Sequence, residues 1–198
     1  MTSLVFATNN PNKLQEIQQM LGSQFHLQSL NDIGCTDDIP ETSATLMGNA
    51  IQKAQHIAQK YKVSVFADDT GLEIAALNGE PGVYSARYAG PQRNSSDNID
   101  LVLDKLKEHK NRNAQFTTCI ALILFNTNGE PEMHTFQGVV KGEITREKSG
   151  LEGFGYDPIF TPEGKNITFA EMSMTQKNEI SHRGRAFRKM VSFLKEGD

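Results

Sequence analysis

The most constraining stretch of the chain is Val65-Phe66-Ala67-Asp68-Asp69-Thr70-Gly71-Leu72. A short β-branched and aromatic run, preceded by a long helical pattern and cut off by two carboxylates and a glycine, reads as a buried strand that ends at a site. In open α/β sheets, ligands bind at the carboxyl ends of strands. Adjacent carboxylates repel, and where a strand leaves a core they cost stability unless a cation or a set of donors offsets the repulsion. A divalent metal is the simplest offset. The same residues also read as an Asp-Asp-Thr-Gly turn with both carboxylates solvated.

Upstream, Leu4-Val5-Phe6-Ala7 has the continuous apolar character of a strand buried on both faces. The polar turn Thr8-Asn9-Asn10-Pro11-Asn12-Lys13 leads into Leu14, Ile17, Met20 and Leu21 at helical spacing. Asn10 suits the N-cap, Pro11 the first helical position, and Gly22 the left-handed residue that ends the helix. A strand, a polar loop and a helix start in direct succession present unpaired N–H groups and a positive dipole end to a phosphate, with Lys13 adding a charge. An ordinary strand-to-helix connection has the same form.

Residues 31–40 are turn-like and lead to Glu41-Thr42-Ser43. A helix over about 44–60 follows, with Leu46, Ala50, Ala54, Ile57 and Tyr61 toward the core. Glu41 at its start either favours the dipole or ligates a metal with Asp68 and Asp69. Asn49 and Lys53 share one helix face, which is either aimed at a pocket or solvated.

Beyond the aspartates, Asn78-Gly79-Glu80-Pro81-Gly82 is a strong turn signal, and Val83 to Gly90 reads as a compact segment beside the site. Arg87 there is a candidate partner for phosphate or for the carboxylates, with surface ion pairing as the plainer role. A helix opened by Ser95 or Ser96 runs to about His109 and reads as structural. Residues 114–125 and 132–144 form an antiparallel ribbon around Asn126-Thr127-Asn128-Gly129, with Gly138 and Gly142 marking bends or bulges.

The segment Gly150-Leu151-Glu152-Gly153-Phe154-Gly155-Tyr156-Asp157-Pro158-Ile159-Phe160 spaces glycines among aromatics and closes on Asp-Pro. Its backbone must approach something closely while a ring is held out, and a flat heterocycle stacks on such a ring for about 1 to 3 kcal/mol. A glycine-rich connection whose rings cover the core is the alternative. Near the C-terminus, Lys177, His182, Arg183 and Arg185 cluster around a break between two helical segments, with Ser181 capping the second. Donors at such a helix start suit carbonyl groups and phosphates.

The net charge of -4 argues against a general nucleic-acid or membrane surface, although local positive charge still permits a small anionic ligand. Cys35 and Cys119 have neither metal spacing nor a disulfide framework, which suits a reducing compartment. The apolar run at Leu4 is too short for a signal peptide or a membrane span, so a cytoplasmic protein is expected. Low-complexity segments and repeats are absent, and 198 residues suit one domain spanning 1–198.

The segments 7–13, 66–72, 81–88 and 153–160, together with Ser181-His182-Arg183-Gly184, closely resemble in order the Ham1/inosine triphosphate pyrophosphatase family. The resemblance runs from Leu4 to about Phe187. It implies an α/β, two-lobed fold around a long mixed, twisted sheet flanked by helices, a homodimer, and dependence on Mg²⁺. The activity it implies is hydrolysis of non-standard purine nucleoside triphosphates such as ITP, dITP and XTP to the monophosphate and pyrophosphate, which removes deaminated purines from the nucleotide pool. Asn9 and Thr70 stand where relatives often have Gly and Ser, and both keep the loops polar. Gly48 stands where many have Glu, so metal binding must rest on Glu41, Asp68 and Asp69.

Joined to the chemistry, the resemblance implies catalytic roles for Asp69 and Lys13. Asp69 orients and deprotonates a water, and Lys13 stabilises the departing pyrophosphate. Substrate contacts fall to Thr8, Asn9, Asn10, Pro11, Asn12, Lys13, Lys53 and Thr70, and to Phe154, Gly155, Tyr156, Asp157, Lys177, His182 and Arg183, with Phe154 as the stacking ring. Hypoxanthine and xanthine offer a 6-oxo acceptor and an N1–H donor. Adenine reverses both, so donors facing the 6-oxo group discriminate against ATP. Two other classes stay open: a nucleotide-binding regulator that does not need Asp69, and a phosphatase that releases phosphate from the γ end.

Overall fold

Beyond Asp69 the strand does not stop. Among residues 2–21 and 25–196, which the computed structural model describes, β3 spans Val65–Ile74 and carries the aspartates at its middle. The elements in order are β1 (Thr2–Phe6), α1 (Pro11–Leu21), β2 (Phe25–Gln28), α2 (Leu46–Tyr61), β3, α3 (Ser95–Lys105), β4 (Asn113–Phe125), β5 (Pro131–Ile144), β6 (Phe160–Pro162), α4 (Met174–Ile180) and α5 (His182–Glu196). One sheet of order β2-β1-β3-β4-β5-β6 holds all the strands. β1 pairs in parallel with β2 and β3, and β5 pairs antiparallel with β6. Neighbours β4 and β5 are joined only by residues 126–130, closed by the Asn126 N–H to the Glu130 carbonyl at 3.0 Å, so they too run antiparallel. The sheet is mixed and the fold is α/β, as the resemblance implies.

The chain divides into two compact units. The first comprises Met1–Asp69, Thr118–Gln137 and Ala186–Asp198. Its core gathers Leu4, Phe6, Ile17, Leu21, Phe25, Phe66, Ile120, Leu122, Phe187 and Met190. Phe6 and Phe66, one from each of two paired strands, stack at 4.5 Å, and Phe187 meets Phe66 edge-on at 5.4 Å. Such pairs add about 0.5 to 1.5 kcal/mol beyond the area they bury. The second unit comprises Thr70–Thr117 and Gly138–Arg185. Leu72, Ile74, Val102, Phe116, Ile159, Phe160 and Phe169 are at its centre.

The helix starts follow local chemistry. Asn10 Oδ1 accepts from the Asn12 and Lys13 amides and caps α1 ahead of Pro11. Gly22, expected to end α1, and the Met20 side chain lie outside what the structure describes. Thr45 caps α2 through the Gly48 amide, which places the start two residues later than the pattern suggests. Asn94, not Ser95 or Ser96, caps α3, because its carbonyl oxygen reaches the amides of both Ser96 and Asp97; α3 ends at Lys105. Ser181 caps α5 through the Gly184 amide at 3.1 Å, as expected.

β5 continues through Gly138 and Gly142 without a break. Gly142 answers a close approach: a Cβ there would collide with the Thr161 carbonyl and the Phe160 ring on β6. Both cysteines are buried thiols. Among the described residues, no helix is long and apolar enough to cross a membrane.

Candidate functional site

In the first unit, the pleat separates the two aspartates. Successive residues of a strand face opposite sides, and Asp68 and Asp69 accordingly meet different helices. Asp68, with its side chain fully buried, takes the Lys13 ammonium of the first turn of α1 at 2.8 Å. Asp69 takes the Asn49 side-chain amide of α2 at 3.0 Å and lies 3.8 Å from Lys53 Nζ. Lys53 also donates to Glu41 at 2.6 Å. The repulsion that made the Asp-Asp pair informative is therefore relieved by two lysines rather than by solvation.

The surroundings shift both Asp69 and Lys53. Burial raises the Asp69 carboxyl above the ordinary carboxylate value, and Lys53, Lys13 and Asn49 offset only part of that rise. Burial works to lower the Lys53 ammonium, but Asp69, Glu41 and Asp68 outweigh it and the net shift is upward.

The loop before α1 arranges the rest. Thr8 Oγ1 accepts from the Asn10 amide at 3.1 Å, while Asn9, Pro11 and Asn12 are exposed. Thr70, half-buried, follows Asp69 directly on β3.

Glu41 and Asp69 both direct an oxygen at one point, Lys53 Nζ, and with Asp68 they offer only hard carboxylate donors. Mg²⁺ takes few carboxylates together with phosphate and water oxygens, so this donor set fits it. Among the described residues, no three His, Cys, Asp or Glu side chains stand close enough together to share an ion without movement.

In the second unit, the glycine and aromatic loop folds onto its own aspartate. Asp157 Oδ2 accepts from the Phe154 amide at 2.8 Å and from Lys177 Nζ at 2.7 Å, with both side chains about 5% exposed or less. Gly153 has φ +75°, and a Cβ on it would strike the Asp157 carboxylate. Gly150 has φ +83° and presses against the Ala170 carbonyl, which accepts from the Leu151 amide at 3.1 Å. The close approach foreseen for this loop is thus made to the protein itself. It leaves Phe154 half-buried, with Lys177 Nζ 4.9 Å and the Arg183 guanidinium 5.3 Å from its ring centre.

Gly155, at φ +63°, follows Phe154. Tyr156 is buried and donates to the Ser85 carbonyl at 2.8 Å. The His182 ring stacks on Phe116 at 4.6 Å, and His182 and Arg183 open α5 as buried residues. Arg87 lies over the exposed Tyr84 ring at 5.4 Å.

The candidate residues therefore gather as two clusters, one in each unit. Asp68 with Lys13, and Glu41 with Lys53, Asn49 and Asp69, form the first; Phe154, Asp157, Lys177 and Arg183 form the second. A cavity of about 590 Å³ in the second unit, lined among others by Glu73, Gln115, Lys141, Glu143 and Lys165, includes none of the candidate residues. From the sequence, Asn49 and Lys53 stay open between a pocket and solvent, yet they are 1% and 7% exposed. The available signal was position: each falls three residues after an apolar member of the buried stripe, Leu46 or Ala50.

The Ham1 family model matches residues 4–193. A protein of Flavobacterium psychrophilum named dITP/XTP pyrophosphatase is 55% identical over 192 residues, covering 97% of this chain and 98% of its own. The solved structure of the Staphylococcus aureus Ham1 protein superposes with a TM-score of 0.89 at 38% identity and full coverage of both chains. That of a HAM1 protein from Coxiella burnetii gives 0.89 at 41% identity, covering 99% of this chain and 100% of that one. With the family model matching nearly its whole length and a relative of this identity covering it, the chain belongs to the Ham1 family.

Proposed function

We propose that this protein hydrolyses non-canonical purine nucleoside triphosphates, ITP, dITP and XTP, to the monophosphate and pyrophosphate. The observation that carries the reading is the set of ion pairs of the first unit, in which Asp68 meets Lys13 in the first turn of α1 while Glu41 and Asp69 meet Lys53 of α2. The relative's name, dITP/XTP pyrophosphatase, supports dITP and XTP among these substrates. A nucleoside triphosphate carries both a polyanion suited to that cluster and a flat, carbonyl-bearing ring suited to Phe154 and the donors Lys177, His182 and Arg183.

The residues divide the work. The loop from Thr8 through Asn9, Asn10, Pro11 and Asn12 to Lys13, with Lys53 and Thr70, binds the phosphates. Asp69 orients a water and takes its proton as the water oxygen bonds to the α-phosphorus in line. The bond from that phosphorus to the bridging oxygen breaks, its electron pair leaves with pyrophosphate, and Lys13 stabilises the charge that develops there. Asp69 then returns the proton to solvent. Asp69, with Glu41 and Asp68 directly or through water, would hold Mg²⁺, which when bound lowers the water's pKa and neutralises phosphate charge. Phe154 stacks on the base within the loop of Gly155, Tyr156 and Asp157. Donors from Lys177, His182 and Arg183 favour a 6-oxo purine over adenine. We further propose that residues 1–198 act as one catalytic domain, that the protein works as a homodimer, and that it is cytoplasmic.

The test is product analysis. Purified protein with Mg²⁺ is incubated separately with ITP, dITP, XTP, ATP and GTP, and pyrophosphate is scored against phosphate. Pyrophosphate from the first three, with little from ATP or GTP, is expected. Phosphate release, or tight binding without turnover, would contradict the reading.

A further inference from the structure

We propose that Asn49 is a positioning residue that holds the proposed catalytic carboxylate of Asp69 and the Glu41-bearing loop in register; this rests on the reading above. Asn49 is in the first turns of α2 and is 1% exposed. Its Oδ1 accepts from the Ser43 backbone amide at 2.9 Å, and its Nδ2 donates to Asp69 Oδ2 at 3.0 Å.

These partners settle the chemistry required. A backbone N–H can only donate and an ionised carboxylate can only accept, so the side chain joining them must offer an acceptor and a donor on one rigid group. Asparagine is such a group at this reach. Aspartate would turn an oxygen toward Asp69, and leucine of the same shape would satisfy neither partner. The same reasoning fixes the amide orientation, since a flipped Asn49 would face oxygen to carboxylate and N–H to N–H.

The surroundings are built for this contact. Ser43 folds over the start of α2, where a Cβ on Gly48 would collide with its side chain. With Asp69 Oδ2 tied to Asn49, Asp69 Oδ1 is the oxygen nearer Lys53, the lysine that also binds Glu41. Asn49 thereby sets the spacing between the carboxylates proposed to hold Mg²⁺. Partners of this kind, one bond removed from ligands, typically cost 10- to 100-fold in metal affinity or activity when removed.

Gln52 provides the control. It holds the same loop through Thr42, at 3.0 Å both from the Thr42 amide to its Oε1 and from its Nε2 to the Thr42 hydroxyl. It therefore anchors the loop from a different point than Asp69.

The experiment compares wild type, Asn49→Leu, Asn49→Ala and Gln52→Ala, with folding confirmed by near-ultraviolet circular dichroism. The two Asn49 variants guard against one of them failing to fold. Two quantities are read: kcat and KM for ITP at saturating Mg²⁺, and Mn²⁺ binding to the protein alone by electron paramagnetic resonance. The expected result for Asn49 variants is a kcat about 10- to 100-fold lower with KM changed less than about threefold, and Mn²⁺ binding weakened about 10- to 100-fold. Gln52→Ala should change both by less than about threefold. A folded Asn49 variant with near-wild-type kcat and Mn²⁺ binding would overturn the proposal, as would equal losses in Gln52→Ala, which would reduce Asn49 to a loop anchor. A wild type that releases no pyrophosphate would instead overturn the functional reading, and the Mn²⁺ measurement would still decide the role of Asn49.

Discussion

Replacing Lys177 with methionine keeps the length of the side chain and removes the ammonium that faces Asp157. Both partners are almost fully buried, at 5% and 4% side-chain exposure, and 2.7 Å apart. Removing one member of such a pair costs about 3 to 5 kcal/mol, because the remaining charge keeps its desolvation penalty. Asp157 retains the Phe154 amide at 2.8 Å, a bond to a charged acceptor worth about 1.5 to 3 kcal/mol, which places the loss near the lower figure. At about 2.1 cal/mol/K per residue over 198 residues, 3 kcal/mol lowers Tm by about 7 °C. Calorimetry of wild type, Lys177→Met, Asp157→Asn and the double variant measures this directly. Asn at 157 keeps an acceptor for the Phe154 amide without a charge, so the double variant should be more stable than Lys177→Met alone. A loss below about 1 kcal/mol in Lys177→Met, or a double variant no more stable than it, would refute the idea that this pair is held together by buried charge.

Other perturbations read other parts of the structure. Phe154→Ala removes the stacking surface, worth about 1 to 3 kcal/mol per base, so KM for ITP should rise about 5- to 150-fold with a smaller change in kcat; an unchanged KM would exclude stacking on this ring. Gly142→Ala forces a Cβ into the Thr161 backbone of β6 and should cost about 1 to 3 kcal/mol in urea unfolding, whereas a neutral result would mean that the strands separate freely there. Glu171 closes a capping box on the Thr168 amide at 2.7 Å, and this bond, with a weaker one from Ser149, lowers its carboxyl from 4.5. A folded-state value below the unfolded one contributes stability that is present above pH 4.5 and lost as pH falls through the lowered value. The Tm gap between wild type and Glu171→Gln should therefore close in acid, and a gap that does not change with pH would contradict this.

What could be read from the chain beforehand was what local chemistry determines. Asn10 and Pro11 mark the start of α1 because a cap and a fixed φ act within one turn. Asp68-Asp69 points to a site because adjacent carboxylates must be offset. The partners were less legible. Strand alternation was present in the sequence, but assigning Lys13 to Asp68, and Asn49 and Lys53 to Asp69, requires knowing which helix covers each face of β3. The strand's continuation to Ile74 was hidden by Thr70-Gly71, which read as a turn. β2 and β6, of 4 and 3 residues, are too short to carry a periodic signal. Of the three loop glycines read as marking close approach, Gly153 makes room for Asp157 and Gly150 for the Ala170 carbonyl, contacts that only coordinates reveal, whereas a Cβ on Gly155 would meet nothing.

Isotope placement shows whether Asp69 directs water at the α-phosphorus. A single turnover of ITP in H₂¹⁸O with Mg²⁺, analysed by mass spectrometry, should place the label in inosine monophosphate and none in pyrophosphate, and Asp69→Asn should abolish the labelled product while still binding ITP. Label in pyrophosphate would mean attack at the β-phosphorus, label in free phosphate attack at the γ end, and undiminished turnover in Asp69→Asn a different base; each would contradict the account.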